Sequence, residues 1–301
     1  MVNIAYLLTI VAFPIRSIGW LLGEFPRSVV GFDRVRAVLQ ETGEMEYGDS
    51  PVPRAGDGAR LEVDRLAFGY DGAPVLRDVT FTVEPGRTVA IVGATASGKS
   101  TLTTLLFRLV DPDDGSVRID GLDLRALEQG ALAQVAALVP QSAFLFDDTV
   151  RDNVTLGADV SDEQVWEALR TAQADGFVAA LPDGLDSRIG ERGTTLSGGQ
   201  RQRLSLARAL VRSPRLLVMD DATSAVDPEV EARILAALRD TSSSATVVLV
   251  AYRKATIGLA DEVVFLQHGR VVDRGTHQAL LDRNPAYADL VNAYEAAEVE
   301  T

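Results

Sequence analysis

The chain has 301 residues, 47% of them hydrophobic and 24% charged, which supports a packed core of one large domain or two smaller ones. A net charge of -14, from 29 basic and 43 acidic residues, argues against a broad DNA- or RNA-binding surface. The absence of cysteine removes disulfides, thiolate metal sites and cysteine nucleophiles together, and His268 and His277 read as structural residues, so no zinc site is expected.

Residues 1–40 differ in texture from the rest. Ile4 to Ile15 is apolar apart from Thr9, Arg16 interrupts, and Ile18 to Leu22 resumes. Such runs are shorter than the ~20 residues of a free-standing membrane helix, and an arginine is costly at mid-bilayer. A signal peptide is disfavoured, because no basic residue precedes the run and no small-x-small cleavage site follows. Two readings remain, a buried helix of a soluble fold and the tail of a membrane helix. Arg27, Arg34 and Arg36 beside Phe32, Val35, Val38 and Leu39 look like a basic cytoplasmic flank and favour the second. Residues 41–59, with Gly43, Gly48, Pro51, Pro53, Gly56 and Gly58, form a linker by composition.

A folded unit is expected over 60–301. Leu61, Val63, Leu66 and Phe68 predict a strand ending at Tyr70, whose ring suits either core packing or stacking on a base. Val79–Val83 predicts a second strand and Thr88–Val92 a third, buried one. Then comes Gly93-Ala94-Thr95-Ala96-Ser97-Gly98-Lys99-Ser100, which fits the phosphate-binding pattern G-x-x-x-x-G-K-[ST]. Leu102, Leu105, Leu106 and Leu109 follow at helical spacing. In this strand–loop–helix context, backbone N–H groups and the helix dipole surround phosphate oxygens. Gly93, Thr95, Ser97, Gly98 and Thr101 belong to that cradle, Lys99 would reach the terminal phosphates, and Ser100 would ligate Mg²⁺. A nucleoside triphosphate is therefore the expected ligand.

Val117–Asp120 and Val135–Val139 read as strands, the second closing on Pro140-Gln141. Ser161 and Gln164 predict a capping box in a helix-rich stretch. Leu196-Ser197-Gly198-Gly199-Gln200 leads into a helix over 201–212, and its glycine pair leaves backbone N–H groups free for an anion. The apolar strand Leu216–Asp220 ends in two carboxylates, where open α/β sheets bind ligands. Asp220 would hold Mg²⁺ through water and Asp221 would polarise an attacking water. A helix over 228–238, a strand over 246–251, a hairpin around His268-Gly269 and a surface-like helix over 276–297 complete an α/β fold with a largely parallel sheet.

Taken together, Gly93 to Ser100, Gln141, Leu196 to Gln200, Leu216 to Asp220 and Ser224-Ala225-Val226-Asp227 stand in the order of an ATP-binding cassette (ABC) transporter's nucleotide-binding domain. The resemblance covers about residues 60–285 and is closest to the exporter type, supported by Gly190-Glu191-Arg192-Gly193 before the signature. It implies a P-loop NTPase-like, mostly parallel sheet core with an antiparallel β subdomain and an α-helical subdomain at about 141–212. Residues 1–40 would be the end of the last membrane helix and its cytoplasmic extension, on a chain that is either a fragment or begins at a start site placed too far downstream. The resemblance assigns Tyr70 to adenine, Gln141 to Mg²⁺ sensing and Asp227 to the loop that crosses a dimer. Ser197, Gly198, Gly199 and Gln200 would close over ATP held by a partner cassette.

Three positions depart from the family pattern. Ala96 replaces a glycine, Asp221 stands where the family has its catalytic glutamate, and Tyr252 stands where it has its switch histidine. Tyrosine, with an ordinary pKa near ~10, is a poor substitute for an imidazole at neutral pH. The expectation is an ATP-holding half of a heterodimeric exporter at the cytoplasmic face of the cell membrane. Its non-identical partner would carry the glutamate and the histidine, and transmembrane domains but no nucleic acid would be bound. A homodimeric exporter and a soluble ATP-binding regulator are the alternatives. DNA-repair ATPases share the motifs but separate them by coiled coils, which the 101–195 interval lacks.

Overall fold

The computed structural model describes residues 2–40, 45–52, 56, 58–190, 193–240 and 245–299. Internal contacts divide the chain into two units, 1–45 and 46–301.

The first unit is a single helix, α1 (Val2–Leu39), 38 residues and so about 57 Å long. The helix runs through Arg16 without a break. Arginine is a good helix former, and Pro14 and Pro26 are carried inside the helix as membrane helices tolerate. The span Tyr6–Leu39 has a mean hydropathy of 1.5 and is long and apolar enough to cross a membrane. Phe13 is 75% exposed and Trp20 67%, so α1 is not a buried core helix of this chain.

The second unit begins with strands β1 (Leu61–Tyr70), β2 (Ala73–Val83) and β3 (Thr88–Val92), then helix α2 (Lys99–Leu106). Next come β4 (Asp114–Ile119), β5 (Leu122–Asp123), α3 (Leu132–Val135) and β6 (Ala136–Val139). Helices α4 (Val150–Thr155), α5 (Asp162–Thr171), α6 (Asp175–Ala179) and α7 (Gly198–Leu210) follow. The chain returns through β7 (Leu216–Asp220), α8 (Pro228–Asp240), β8 (Thr246–Val250) and α9 (Lys254–Gly258). It closes with the hairpin β9 (Glu262–Gln267) and β10 (Arg270–Gly275), then α10 (His277–Arg283) and α11 (Pro285–Val299).

Two sheets result. One is antiparallel in the order β2-β1-β4-β5; the other runs β10-β9-β3-β8-β7-β6 and is parallel except for its β9/β10 edge. Period-2 alternation explains why the strands of the second sheet are continuous apolar runs. Ala90, Val92, Leu217, Met219, Val247 and Leu249 enter one core with the helices. Their neighbours Val89, Ile91, Leu216, Val218, Val248 and Val250 enter a second core with the antiparallel sheet. The expected architecture is therefore the one found.

Some boundaries differ. Asp120 lies in a turn with φ 52°, Val135 ends α3 instead of opening β6, and Leu109 lies beyond α2 and is 54% exposed. The C-terminal helices are not surface-like: Leu280, Tyr287 and Val291 are fully buried. Tyr287, Val291 and Tyr294 recur at four and three residues, one helical face that packs on the core. Glu191 and Arg192 lie outside the described residues, as does part of the expected linker.

Candidate nucleotide site

The register of the parallel sheet assembles the site. Ile91 on β3 pairs with Val250 on β8, and Val250 pairs with Asp220 on β7. The residues that follow all three strands therefore emerge on one edge, at the carboxyl ends where such sheets bind ligands. Thr95, Gly98, Lys99, Ser100, Thr101, Gln141, Asp221 and Tyr252 line one cleft of about 620 Å³, with Val75 and Ala96. That volume is within the ordinary range for a small-molecule site.

Glycine is required at two places in the loop. A Cβ on Gly93 would lie 2.2 Å from the Leu266 carbonyl oxygen and 2.6 Å from Ser97 Oγ. Gly98 caps α2 with φ 102°, in the left-handed region. Ala96 also takes a left-handed φ of 63°, so a residue with a side chain occupies a conformation that suits glycine. Ser97 is buried and shapes the loop through its backbone, its N–H donating to Ala94 and its carbonyl accepting from Gly269.

Lys99 is buried, and its ammonium donates to the carbonyls of Gly93 (2.5 Å) and Ala94 (2.9 Å). It also sits 4.6 Å from the centre of the Tyr252 ring, a cation–π contact. Burial lowers its pKa to about 8 against the pull of Asp220 and Asp221. Burial likewise raises Asp221 to about 6, although Gln141 Nε2 donates to its Oδ2 at 3.0 Å. Tyr252 is pushed up to about 12 by burial and by Asp221 and Asp220, so its phenol stays neutral at physiological pH.

Asp220 accepts from Ser100 Oγ at 3.3 Å and from Thr103 Oγ1 at 3.2 Å. A hydroxyl beside a carboxylate is a hard oxygen donor set. Among the described residues no cluster of three His, Cys, Asp or Glu could hold a metal alone. The Ser100 hydroxyl and the Asp220 carboxylate fit Mg²⁺, which takes one or two protein oxygens and completes its shell with phosphates and water.

Other expected site residues lie elsewhere. Tyr70 is 50% exposed, packs edge-on against Phe68 at 4.9 Å and does not line the cleft. Ser197 and Gln200 form a capping box at the start of α7. Gly199 is needed there because a Cβ would meet the Ala225 carbonyl oxygen at 2.6 Å. Asp227 caps the start of α8, its Oδ1 accepting from the Glu229 N–H at 2.9 Å.

Sequence reasoning missed a set of supports. Gln202 bonds Ser224 Oγ at 3.0 Å and the Ala225 N–H at 2.8 Å, tying the signature helix to the 223–226 loop. Arg253 donates to the carbonyls of Val226 (2.9 Å) and Ser224 (2.7 Å) and to Glu231 Oε2 (2.9 Å). Tyr294 donates its phenol to the Gly93 carbonyl at 2.7 Å. The buried stripe of α11 was the signal available for Tyr294; Gln202 and Arg253 stood next to motifs without a pattern of their own.

A family model described as "ABC transporter" matches residues 76–224. An ABC transporter ATP-binding protein of Mycobacterium tuberculosis is 42% identical over 275 residues, covering 89% of this chain and 47% of the relative. The ATP-dependent lipid A-core flippase of Salmonella typhimurium is 40% identical over 282 residues, 92% of this chain and 48% of the relative. A bacterial Atm1-family ABC exporter solved with ATP bound superposes with a TM-score of 0.80 at 35% identity, over 88% of this chain and 47% of that one. The chain thus spans about half the length of the curated relatives it matches.

Proposed function

The chain belongs to the ABC transporter family, and on that premise we propose that it is the ATP-binding part of an exporter subunit whose own site holds Mg-ATP and hydrolyses it slowly. The observation that carries this reading is the pair Asp221 and Tyr252, which share the cleft with Lys99. Lys99 and the loop N–H groups would bind the phosphates. Ser100 and Asp220 would hold Mg²⁺, whose positive charge would offset that of the phosphate oxygens. Asp221 offers a shorter carboxylate than glutamate at the position that orients water. Tyr252 offers a neutral phenol where the family uses an imidazole. Weak general-base help at one site typically costs ~10²–10⁴ in rate.

The signature residues Ser197 to Gln200 would complete a faster site on a second, non-identical chain, with α1 in the membrane and residues 46–301 on its cytoplasmic side. The test is Asp221→Glu combined with Tyr252→His in the full chain assembled with its partner. Turnover at this site should rise by about 10- to 100-fold. Unchanged turnover would remove the explanation based on these two positions.

A further inference from the structure

The Gly93 carbonyl has two donors in this structure, Lys99 Nζ at 2.5 Å and the Tyr294 phenol at 2.7 Å. Gly93 is buried, so its carbonyl depends on protein donors. The Tyr294 ring also meets Tyr252 edge-on, with centroids 5.5 Å apart, and Tyr252 in turn lies under the Lys99 ammonium. Tyr294 is held from behind. Lys254 bonds the neighbouring Glu295 at 2.7 Å.

The three N–H donors of Lys99 face the loop oxygens of Gly93, Ala94 and Ser97, so binding phosphate must draw donors away from them. Leaving a buried carbonyl without a donor is unfavourable, and the penalty would fall on binding alone. We propose that Tyr294 is a positioning residue of the nucleotide site: its phenol keeps the Gly93 carbonyl bonded when Lys99 moves to the phosphates, and its ring holds Tyr252 beneath that lysine. The inference rests on the nucleotide-binding reading and adds the C-terminal helix to the site. Without the phenol, Lys99 would still satisfy Gly93 in the nucleotide-free protein but not while bound to phosphate. The affinity should therefore suffer and the unliganded fold should not.

The experiment compares the full chain with its Tyr294→Phe variant, which keeps the ring, and with Tyr287→Phe as a control on the same helix. Binding of trinitrophenyl-ATP with Mg²⁺ is followed by fluorescence, and thermal unfolding is recorded without nucleotide. Tyr294→Phe should weaken binding by roughly 5- to 150-fold, the factor expected for an orphaned buried carbonyl, with its unliganded melting temperature unchanged. Tyr287→Phe should bind as the parent does. Equal affinity of Tyr294→Phe and the parent would overturn the inference, as would a loss of affinity matched by a loss of unliganded stability. Failure of the parent chain to bind the probe would overturn the nucleotide-site reading itself, and the inference with it.

Discussion

Lys99 sets the electrostatics of the cleft. Its pKa of about 8 reflects burial that outweighs two neighbouring carboxylates, so the charged form needed for phosphate begins to be lost just above physiological pH. An anion at the ammonium raises that pKa, and affinity then declines with rising pH across the interval between the free and bound values. Binding of trinitrophenyl-ATP to the full chain should therefore weaken steadily from pH 8 to 9.5, by up to about tenfold per unit. An affinity independent of pH over that range would mean that Lys99 keeps its proton or makes no contact with the phosphates. The positions of Gly93, Lys99 and Ser100 were legible in the sequence because the loop is local and its glycines answer to backbone geometry. The placement of Asp221 and Tyr252 beside the loop was legible too, because each follows an unmistakable strand. Tyr294 was not, since it reaches Gly93 across a separation of 201 residues, which no spacing rule spans.

Between the strands and helices, short loops are held by a few buried polar groups. The 223–226 loop is clasped from one side by Arg253, which is also ion-paired to the buried Glu231, and from the other by Gln202 on α7. This joins the residue after Tyr252 to the signature helix and to the loop that carries Asp227. Removing one partner of a buried ion pair leaves the other charge uncompensated. Arg253→Ala should lower stability by about 3 kcal/mol in denaturant unfolding, and Arg253→Lys should recover only part of that because lysine lacks the planar fork. A loss below ~1 kcal/mol for Arg253→Ala would show that the clasp contributes little. Element types were largely readable from periodicity, and the capping box at Ser161 formed where the sequence places it, whereas the one at Ser197 was not anticipated. Asp120 and Val135 slipped by a single residue, within the fraying of element ends, and α2 stops short of Leu109, where Arg108 takes a left-handed φ of 47°.

At the scale of the molecule, one sheet buried on both faces brings the phosphate loop, Asp220, Asp221 and Tyr252 to a common edge. The signature residues stand apart from that cleft, at the start of α7. The hydrophobic texture of residues 1–40 pointed to a membrane, and α1 is one helix, long and apolar enough to cross one, that runs on through Arg16. The helix is governed by backbone propensity along its whole length, whereas a count of apolar runs stops at each polar residue. The central claim is that this cassette, with its own site weakened and its signature intact, works opposite a different chain. The most direct measurement is affinity capture of the tagged full chain from membranes extracted with detergent and Mg-ATP, followed by mass spectrometry. The account predicts a second ABC chain, in about equal amount, with glutamate and histidine at the positions matching Asp221 and Tyr252. Recovery of this chain alone, as a homodimer that hydrolyses ATP at the ordinary rate, would contradict it.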